Sequence, residues 1–352
     1  MHSFRSDNTA GLCPEALQAI VDISQGHLDS YGDDACTADA VAELRRIFGD
    51  RIEAFFVTTG TAANTLAIAA LTERWQQVIC HVYGHHNTAE STAPERISQC
   101  RTVPVRTEAS KLEPADVLRT RIGAPGDVHD PQPGVVTIAN PTEYGTVYSA
   151  DEIAALSDAA HAAGFRLHVD GARFANAVAS LGCDPLDLTA NAGVDALSFG
   201  GTKNGLACGE AVIFFPQDDG RDFERATAAF AFHRMSTGHL VSKHRFISGP
   251  FAATLRDGAW LHHAGHANAM ATRLCDGLRR LGFEICFPTQ ANGVLVALPE
   301  AVDTALRRCG HGYFNFTDPG GAKSDLFRLM CSFDTQTYQV DALLADAERV
   351  SR

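Results

Sequence analysis

Lys203 stands in the run Ser198-Phe199-Gly200-Gly201-Thr202-Lys203-Asn204-Gly205, a glycine-rich turn between two apolar stretches, Val194 to Phe199 and Ala211 to Phe215. Lysine is scarce: Lys111, Lys243 and Lys323 are the other three among 29 lysines and arginines, and all three sit in polar contexts. Lys203 instead follows strand-like residues, and the glycines beside it let a ligand approach the backbone closely. Burial disfavours an ammonium ion, so a lysine in such a place presents a free amine. That amine can hold a carbonyl compound as a Schiff base. Taken alone, the octapeptide also fits a loop lysine whose charge reaches water.

A second stretch meets the first. Phe165 to Val169 reads as a short apolar strand that ends in Asp170 and turns through Gly171 into the helix-like run Phe174 to Leu181. A carboxylate at the carboxyl end of such a strand lies where open α/β sheets bind ligands, although a lone Asp there also serves as a helix cap. Thirty-three residues separate Asp170 from Lys203, room for one crossover helix and the next strand. Both side chains can then face one crevice. A carboxylate on a pyridine nitrogen with a lysine on the aldehyde is the arrangement that pyridoxal 5'-phosphate (PLP) chemistry needs, because a protonated ring accepts electrons. Upstream, Thr59-Gly60-Thr61 follows the strand Phe55 to Val57 and opens the helix Ala62 to Leu71, so its free N–H groups and the positive helix end form a phosphate cradle. A capping threonine with no ligand gives the same pattern. No GxGxxG follows a strand, which argues against a dinucleotide domain.

The runs Ser6 to Gly11 (SDNTAG), Tyr31 to Asp34 (YGDD), Thr59 to Asn64 (TGTAAN), His168 to Phe174 (HVDGARF) and Phe199 to Gly205 (FGGTKNG) follow one another in a likeness that spans Ser6 to about Asp334. In order and spacing this set resembles the low-specificity L-threonine aldolases, which are fold-type I PLP enzymes. The resemblance implies an α/β fold, with a large domain built on a mostly parallel central sheet and a smaller α+β C-terminal domain. It implies cleavage of L-threonine, L-allo-threonine and related β-hydroxy-α-amino acids such as phenylserine to glycine and an aldehyde. By the same resemblance Lys203 carries PLP, Asp170 keeps the ring protonated, and Gly60, Thr61 and Thr202 join the cofactor set. His85 stacks on the ring and borders the substrate hydroxyl, where it would orient or activate the base step. Ser6 comes from an N-terminal arm over the site to the substrate carboxylate, and Arg245 reaches the cofactor phosphate of a neighbouring subunit. Ser6 as a cap of the following helix and Arg245 as an exposed helix arginine are the plainer alternatives. Arg328, in a strand of apolar neighbours, needs an acid partner or a substrate carboxylate, and Arg173 is the second candidate for that clamp. One departure stands out: the loop Asn140 to Thr146 lacks the histidine that many aldolases carry close to the position of Thr142. The hydroxyl proton is then left to His85, a water or the cofactor phosphate.

These residues need a scaffold. A chain of 352 residues suggests two domains, set at an arm over 1–14, a PLP-binding domain over 15–250 and a small domain over 251–352. Apolar strands at 55–57, 78–82, 134–139, 165–170, 194–199 and 210–215 alternate with helical patterns at 62–71, 150–163, 174–181 and 221–234, the βαβ rhythm of a mostly parallel sheet. A long apolar helix over 247–264 follows. Strands at 283–287, 293–298 and 326–333 with helices at 300–309 and 340–350 read as the α+β part. A net charge of −13 with no basic run argues against nucleic-acid or anionic-membrane partners. The partner classes left are a small amino-acid substrate and further copies of the chain, a dimer or tetramer with active sites at the subunit interface. No 18-residue apolar segment or leader pattern is seen, so a cytoplasmic location is expected. Ten cysteines without a CxxC pair read as free thiols, and His262, His263 and His266 lack a neighbouring Cys or carboxylate set, so no metal is expected. Other readings stay open: β-elimination or racemisation on the same cofactor, a non-catalytic PLP-fold protein, or, weakest, a nicotinamide oxidoreductase.

Overall fold

The computed structural model describes residues 2–107, 110–120, 123–217, 221–316 and 325–351; Lys323 lies outside them. The strands are β1 (His2–Ser3), β2 (Glu53–Val57), β3 (Gln76–His81), β4 (Arg101–Val105), β5 (Gln132–Ala139), β6 (Arg166–Gly171), β7 (Ala196–Gly200), β8 (Glu210–Phe214), β9 (Gly293–Ala297), β10 (His311–Gly312), β11 (Phe314–Asn315) and β12 (Leu326–Met330). The helices are α1 (Pro14–Asp22), α2 (Ala35–Phe48), α3 (Gly60–Leu71), α4 (His85–Thr88), α5 (Ala93–Ser98), α6 (Pro114–Thr120), α7 (Ala150–Ala162), α8 (Phe174–Leu181), α9 (Arg221–Ser236), α10 (Arg245–Leu255), α11 (Ala259–Arg280), α12 (Glu300–Arg308) and α13 (Thr337–Ser351).

Seven strands form one sheet in the order β2-β8-β7-β6-β5-β3-β4. Strands β4, β3, β5, β6 and β7 run parallel, whereas β8 is antiparallel to both β7 and β2. The connection from β7 to β8, residues 201–209, is too short for a parallel crossover, so the chain must return antiparallel. That short return carries Lys203. The strands are apolar on both faces, as a sheet covered by helices on both sides requires: every residue of β7 and of β8 is buried. One core layer joins Phe48, Phe174, Phe199, Phe251 and Trp260, and a second packs α3 and α9 on the opposite face through Leu66, Phe214 and Phe230.

A separate core gathers the second half of α11 with β9, β12, α12 and α13, around Leu274, Leu278, Val296, Leu329 and Leu343. Phe4, 1% exposed, belongs to it, and β1 pairs with β10. The first residues are therefore fastened to the C-terminal part by a strand and a buried aromatic ring. The apolar run 247–264 is two helices rather than one: Asp257 (φ 54°) and Gly258 (φ 72°) take left-handed backbone and turn the chain between α10 and α11. Residues 283–287 contribute a single bridge, Ile285 to Val296, instead of a strand.

Candidate active site

The carboxyl ends of the central strands open into a cavity of about 380 Å³, a volume in the range of small-molecule sites. Gly60 and Thr61 from the start of α3, His85 after β3, Glu143 after β5, Asp170 and Arg173 after β6, and Thr202, Lys203 and Glu210 around the β7–β8 return all line it. Two glycines make this convergence possible. A Cβ on Gly200 would lie 2.3 Å from the Ala172 carbonyl oxygen, and one on Gly201 2.5 Å from Leu206 Cδ1. The lysine loop thus closes directly on the Asp170 turn, where only glycine fits.

Lys203 is half-buried, and its amine is held below the ordinary lysine range. Burial is the main cause and the Arg173 charge adds to it, against the opposing pull of Asp7, Asp170 and Glu143. Asp170 ends β6 with both carboxylate oxygens engaged: Oδ1 accepts from the Ala172 N–H (3.0 Å) and Oδ2 from Asn64 Nδ2 (2.8 Å). Burial works to raise its pKa, but the charges of His85 and Lys203 and the Ala172 N–H prevail, so it is held ionised below the usual carboxylate range. An anionic carboxylate fixed at a strand end suits a protonated pyridine nitrogen.

Behind this aspartate runs a buried polar chain. Asn64 Nδ2 also donates to Glu90 Oε1 (2.9 Å), and the same oxygen is 2.8 Å from His85 Nδ1. Burial lowers the His85 pKa, yet the Glu90 hydrogen bond and the charges of Asp170 and Glu143 raise it above the ordinary histidine value. His86, one residue on, points elsewhere and meets Thr102 at 3.3 Å. Inside the sheet His168 sits between Thr137 (2.8 Å) and Ser198 (2.9 Å), and burial depresses its pKa to about 4. It is a neutral structural histidine under the sheet.

The start of α3 lies on the same cavity wall. Thr59 caps α3, its hydroxyl accepting from the Ala62 N–H (3.2 Å), so the N–H groups at Gly60 and Thr61 lie at the positive helix end on the cavity wall. Glu210, at the start of β8, accepts from the Gly201 N–H at 2.7 Å. Its carboxyl is buried and pushed up to about 7, against the lowering effect of Thr202, the Gly201 N–H and Lys203. Together the Lys203 amine, the strand-end carboxylate and the helix N-terminus match the three polar ends of PLP, so the residues present fit that cofactor.

Of the two clamp candidates, Arg173 is held by Asp7: Nε donates to Oδ2 (2.6 Å) and Nη2 to Oδ1 (2.8 Å). Asn292 Nδ2 donates to Asp7 Oδ2 (3.0 Å) and to the Cys331 carbonyl (2.7 Å). Asp7 thereby joins the N-terminal segment, the large sheet and the C-terminal part. Burial tends to raise its pKa, but Arg173 brings it below the usual range. Arg328 Nη1 lies 3.7 Å from Glu143 Oε2, which supplies the acid partner that its strand position requires. Neither Ser6 nor Arg328 lines the cavity directly. The Ser6 hydroxyl accepts from the Asn8 N–H (3.2 Å) and reaches Asp7 Oδ1 (3.3 Å), the cap of a short helical turn, while the neighbouring Asn8 lines the cavity. Arg245 begins α10 over the Phe246 ring (5.2 Å) and is not part of the cavity wall of its own chain. Away from the site, Glu15 and Cys13 come to His263, with Glu15 Oε2 2.9 Å from His263 Nε2 and the three ligand atoms within 4.8 Å of one another. Sequence proximity gave no sign of that grouping.

Asp7, Asn64, Glu90, Glu143 and Glu210 carry the site's polar framework without having been singled out above. Asn64, Asp7 and Glu143 lie inside motifs already quoted, but their partners are distant in sequence; Glu210 had one local signal, an acid opening an apolar strand.

The sequence profile of the family described as beta-eliminating lyase matches residues 3–301. The low specificity L-threonine aldolase of a Pseudomonas species is 43% identical over 349 residues, covering 99% of this chain and 97% of that protein. The protein of the same name from Pseudomonas aeruginosa is likewise 43% identical over 349 residues, with the same shares covered. Among solved structures, the threonine aldolase of Leishmania major superposes with a TM-score of 0.91 at 24% identity, covering 100% of both chains.

Proposed function

The chain belongs to the beta-eliminating lyase family, with threonine aldolases as end-to-end relatives, and on that premise we propose that it is a PLP-dependent aldehyde-lyase of low specificity. It cleaves the Cα–Cβ bond of L-threonine, L-allo-threonine and related β-hydroxy-α-amino acids to glycine and an aldehyde. The observation that carries this reading is the half-buried Lys203 amine in one cavity with the ionised Asp170 and the α3 N-terminus.

When bound, PLP supplies an aldehyde that captures amines and a protonated ring that withdraws electrons from Cα. Lys203 is the residue that would hold that aldehyde. Asp170, fixed by Asn64 and the Ala172 N–H, keeps the proton on the ring nitrogen. The N–H groups at Gly60 and Thr61, with the Thr202 hydroxyl, take the phosphate. Arg173 and Arg328 grip the substrate carboxylate and so set which bond at Cα is broken. Asp7 occupies Nε and Nη2 of Arg173 and leaves the Nη1 edge for the substrate. His85, on the cavity wall, would lie against the cofactor, and Ser6 acts through the turn that presents Asp7 and Asn8. Arg245 serves the phosphate of a neighbouring subunit, and the working unit is a homo-oligomer, dimer or tetramer. The large unit is drawn at 15–250 and the small unit at 251–352, with α10 and the first half of α11 still packed on the large core, and the location is the cytoplasm.

The test is an absorbance spectrum of the PLP-loaded protein followed by L-threonine with coupled detection of acetaldehyde. A cofactor band that shifts on addition, with aldehyde and glycine formed, is expected. Pyruvate with ammonia, or inverted substrate, would replace the aldolase with an eliminating lyase or a racemase. A Lys203→Ala protein that keeps the band and turns over would refute the central role of Lys203.

A further inference from the structure

The loop after β5 offers two side chains to the centre of the molecule, and it orients them differently. Thr142 is buried with its hydroxyl engaged by Ser110 (2.8 Å) and Thr146 (2.7 Å). Glu143 lies on the wall of the main cavity with Lys203, Asp170 and His85. The backbone on either side of it is fixed. Tyr144 stacks on Phe287 with ring centroids 4.1 Å apart and planes 5° from parallel, and Gly145, at φ 79°, donates its N–H to the Thr142 carbonyl at 2.9 Å. A carboxylate held on a rigid turn is a positioned group rather than a mobile surface acid.

Three acids line this cavity, and two have other tasks. Asp170 accepts from Asn64 and the Ala172 N–H, and Glu210 accepts from the Gly201 N–H. Among the described residues Glu143 pairs with the cation Arg328 at 3.7 Å, a separation that leaves charge attraction without a short hydrogen bond. His85, the other candidate for the hydroxyl proton, has its Nδ1 on the Glu90 carboxylate. The hydrogen bond and the neighbouring acids overcome burial and keep its ring protonated to higher pH than an ordinary histidine, which removes acceptor capacity.

We propose that Glu143 is the catalytic base that takes the β-hydroxyl proton of the substrate. The inference rests on the aldolase reading given above. The O–H proton passes to the Glu143 carboxylate, and the O–H electron pair becomes the second bond of the aldehyde carbonyl as the Cα–Cβ bond breaks. The pair from that bond remains with the glycine half until a proton is added at Cα. Glu143 then returns its proton to solvent, and the proton added at Cα comes from another group, so no oxidant or further reactant is consumed. Arg328 serves twice in this arrangement, as a grip on the substrate carboxylate and as the charge that keeps Glu143 aimed into the cavity.

The experiment uses PLP-loaded wild type and Glu143→Gln and follows three readouts. These are cofactor absorbance and affinity, exchange of the glycine α-proton in D2O followed by NMR, and kcat and KM for L-threonine cleavage. Glycine has no hydroxyl, so its exchange requires every part of the site except this base. The expected result is an unchanged cofactor band, affinity and glycine exchange within about threefold of wild type, and kcat for cleavage lower by about 10²–10⁴-fold. Added formate should restore part of the cleavage rate in Glu143→Ala, because a small carboxylate can enter the space left. Cleavage within about tenfold of wild type would overturn the proposal. So would a parallel loss of exchange and cleavage, or an effect confined to KM, since either assigns Glu143 to placing Arg328 or the loop. Wild-type protein that exchanges the glycine proton yet releases no aldehyde from L-threonine would instead refute the aldolase reading, a result separable from failure of the variant.

Discussion

Glu210→Gln is the perturbation whose size follows most directly from the structure. The Glu210 side chain is 5% exposed at the first position of β8, with its carboxyl moved from an ordinary 4.5 to about 7, chiefly by burial. A folded state that raises an acid's pKa binds that proton more tightly than the unfolded chain does. The stabilising contribution is therefore complete below about pH 4.5 and is lost as pH rises through about 7. Each tenfold gain in proton affinity is worth about 1.4 kcal/mol, so the ionised form disfavours folding by about 3 kcal/mol at pH 8 relative to acid conditions. Glutamine has the same shape, retains an oxygen for the Gly201 N–H, and cannot ionise. In urea unfolding of the cofactor-free protein, Glu210→Gln should match wild type near pH 5 and exceed it by about 3 kcal/mol near pH 8. A phosphate held on the same cavity wall adds a second negative charge beside Glu210, so wild-type PLP affinity should fall between about pH 6 and 8 more steeply than that of the variant. A stability difference that is the same at both pH values, or a variant weaker at pH 8, would refute the assignment of a raised pKa to this carboxyl.

Three other outcomes follow from the same geometry. Asp7→Ala leaves the Arg173 guanidinium without its buried bidentate partner and should cost about 3–5 kcal/mol of stability, with Asp7→Asn intermediate because Asn keeps one acceptor; thermal unfolding of the three proteins checks this. Asp170→Asn keeps the shape of the strand end but removes the charge that holds a proton on the cofactor ring, so kcat should fall by about 10²-fold or more while Lys203 still captures PLP, read by absorbance and turnover together. Gly200→Ala must push β7 away from the Ala172 carbonyl, 2.3 Å from the added Cβ, and should lower both the melting temperature and the PLP affinity, whereas Gly182→Ala, at an open helix end, should affect stability but leave affinity unchanged.

Lys203 and Asp170 were legible from local pattern because Asp170 lies at the end of the apolar strand β6 and Lys203 in the glycine-rich turn three residues past the end of β7. The antiparallel return of β8 was also implicit in the nine residues 201–209, but the alternation of strands and helices masked it. Glu90 and Asn64 gave no such signal. Their role arises from hydrogen bonds that connect positions 26 and 106 residues apart, Asn64 to Glu90 and Asn64 to Asp170, and no local periodicity encodes such a pairing. Arg328 was legible as a strand arginine in need of an acid, yet the identity of that acid, Glu143, depended on how the β5 loop folds back toward β12. The long helix expected over 247–264 failed for a local reason, the left-handed pair Asp257 and Gly258, which an apolar count does not register.

The Asp7 contacts explain why the N-terminal residues cannot be treated as a frayed arm. Phe4 is buried in the C-terminal core, β1 is hydrogen-bonded to β10, and three residues after Phe4 the Asp7 carboxylate grips Arg173 beside the cavity. Asn292 ties that same carboxylate to the Cys331 carbonyl, at the end of the strand that carries Arg328. Both arginines of the proposed carboxylate clamp are thus referenced to one aspartate, Arg173 by direct contact and Arg328 through the backbone of its strand. A displacement of the C-terminal part relative to the sheet would therefore move Asp7 and alter the spacing of the clamp. Loss of Asp7 should accordingly raise KM for L-threonine and for glycine alike, since the defect lies in carboxylate binding, whereas loss of Glu143 should leave KM near wild type and lower only cleavage. The two substitutions separate binding from bond breaking within one cavity.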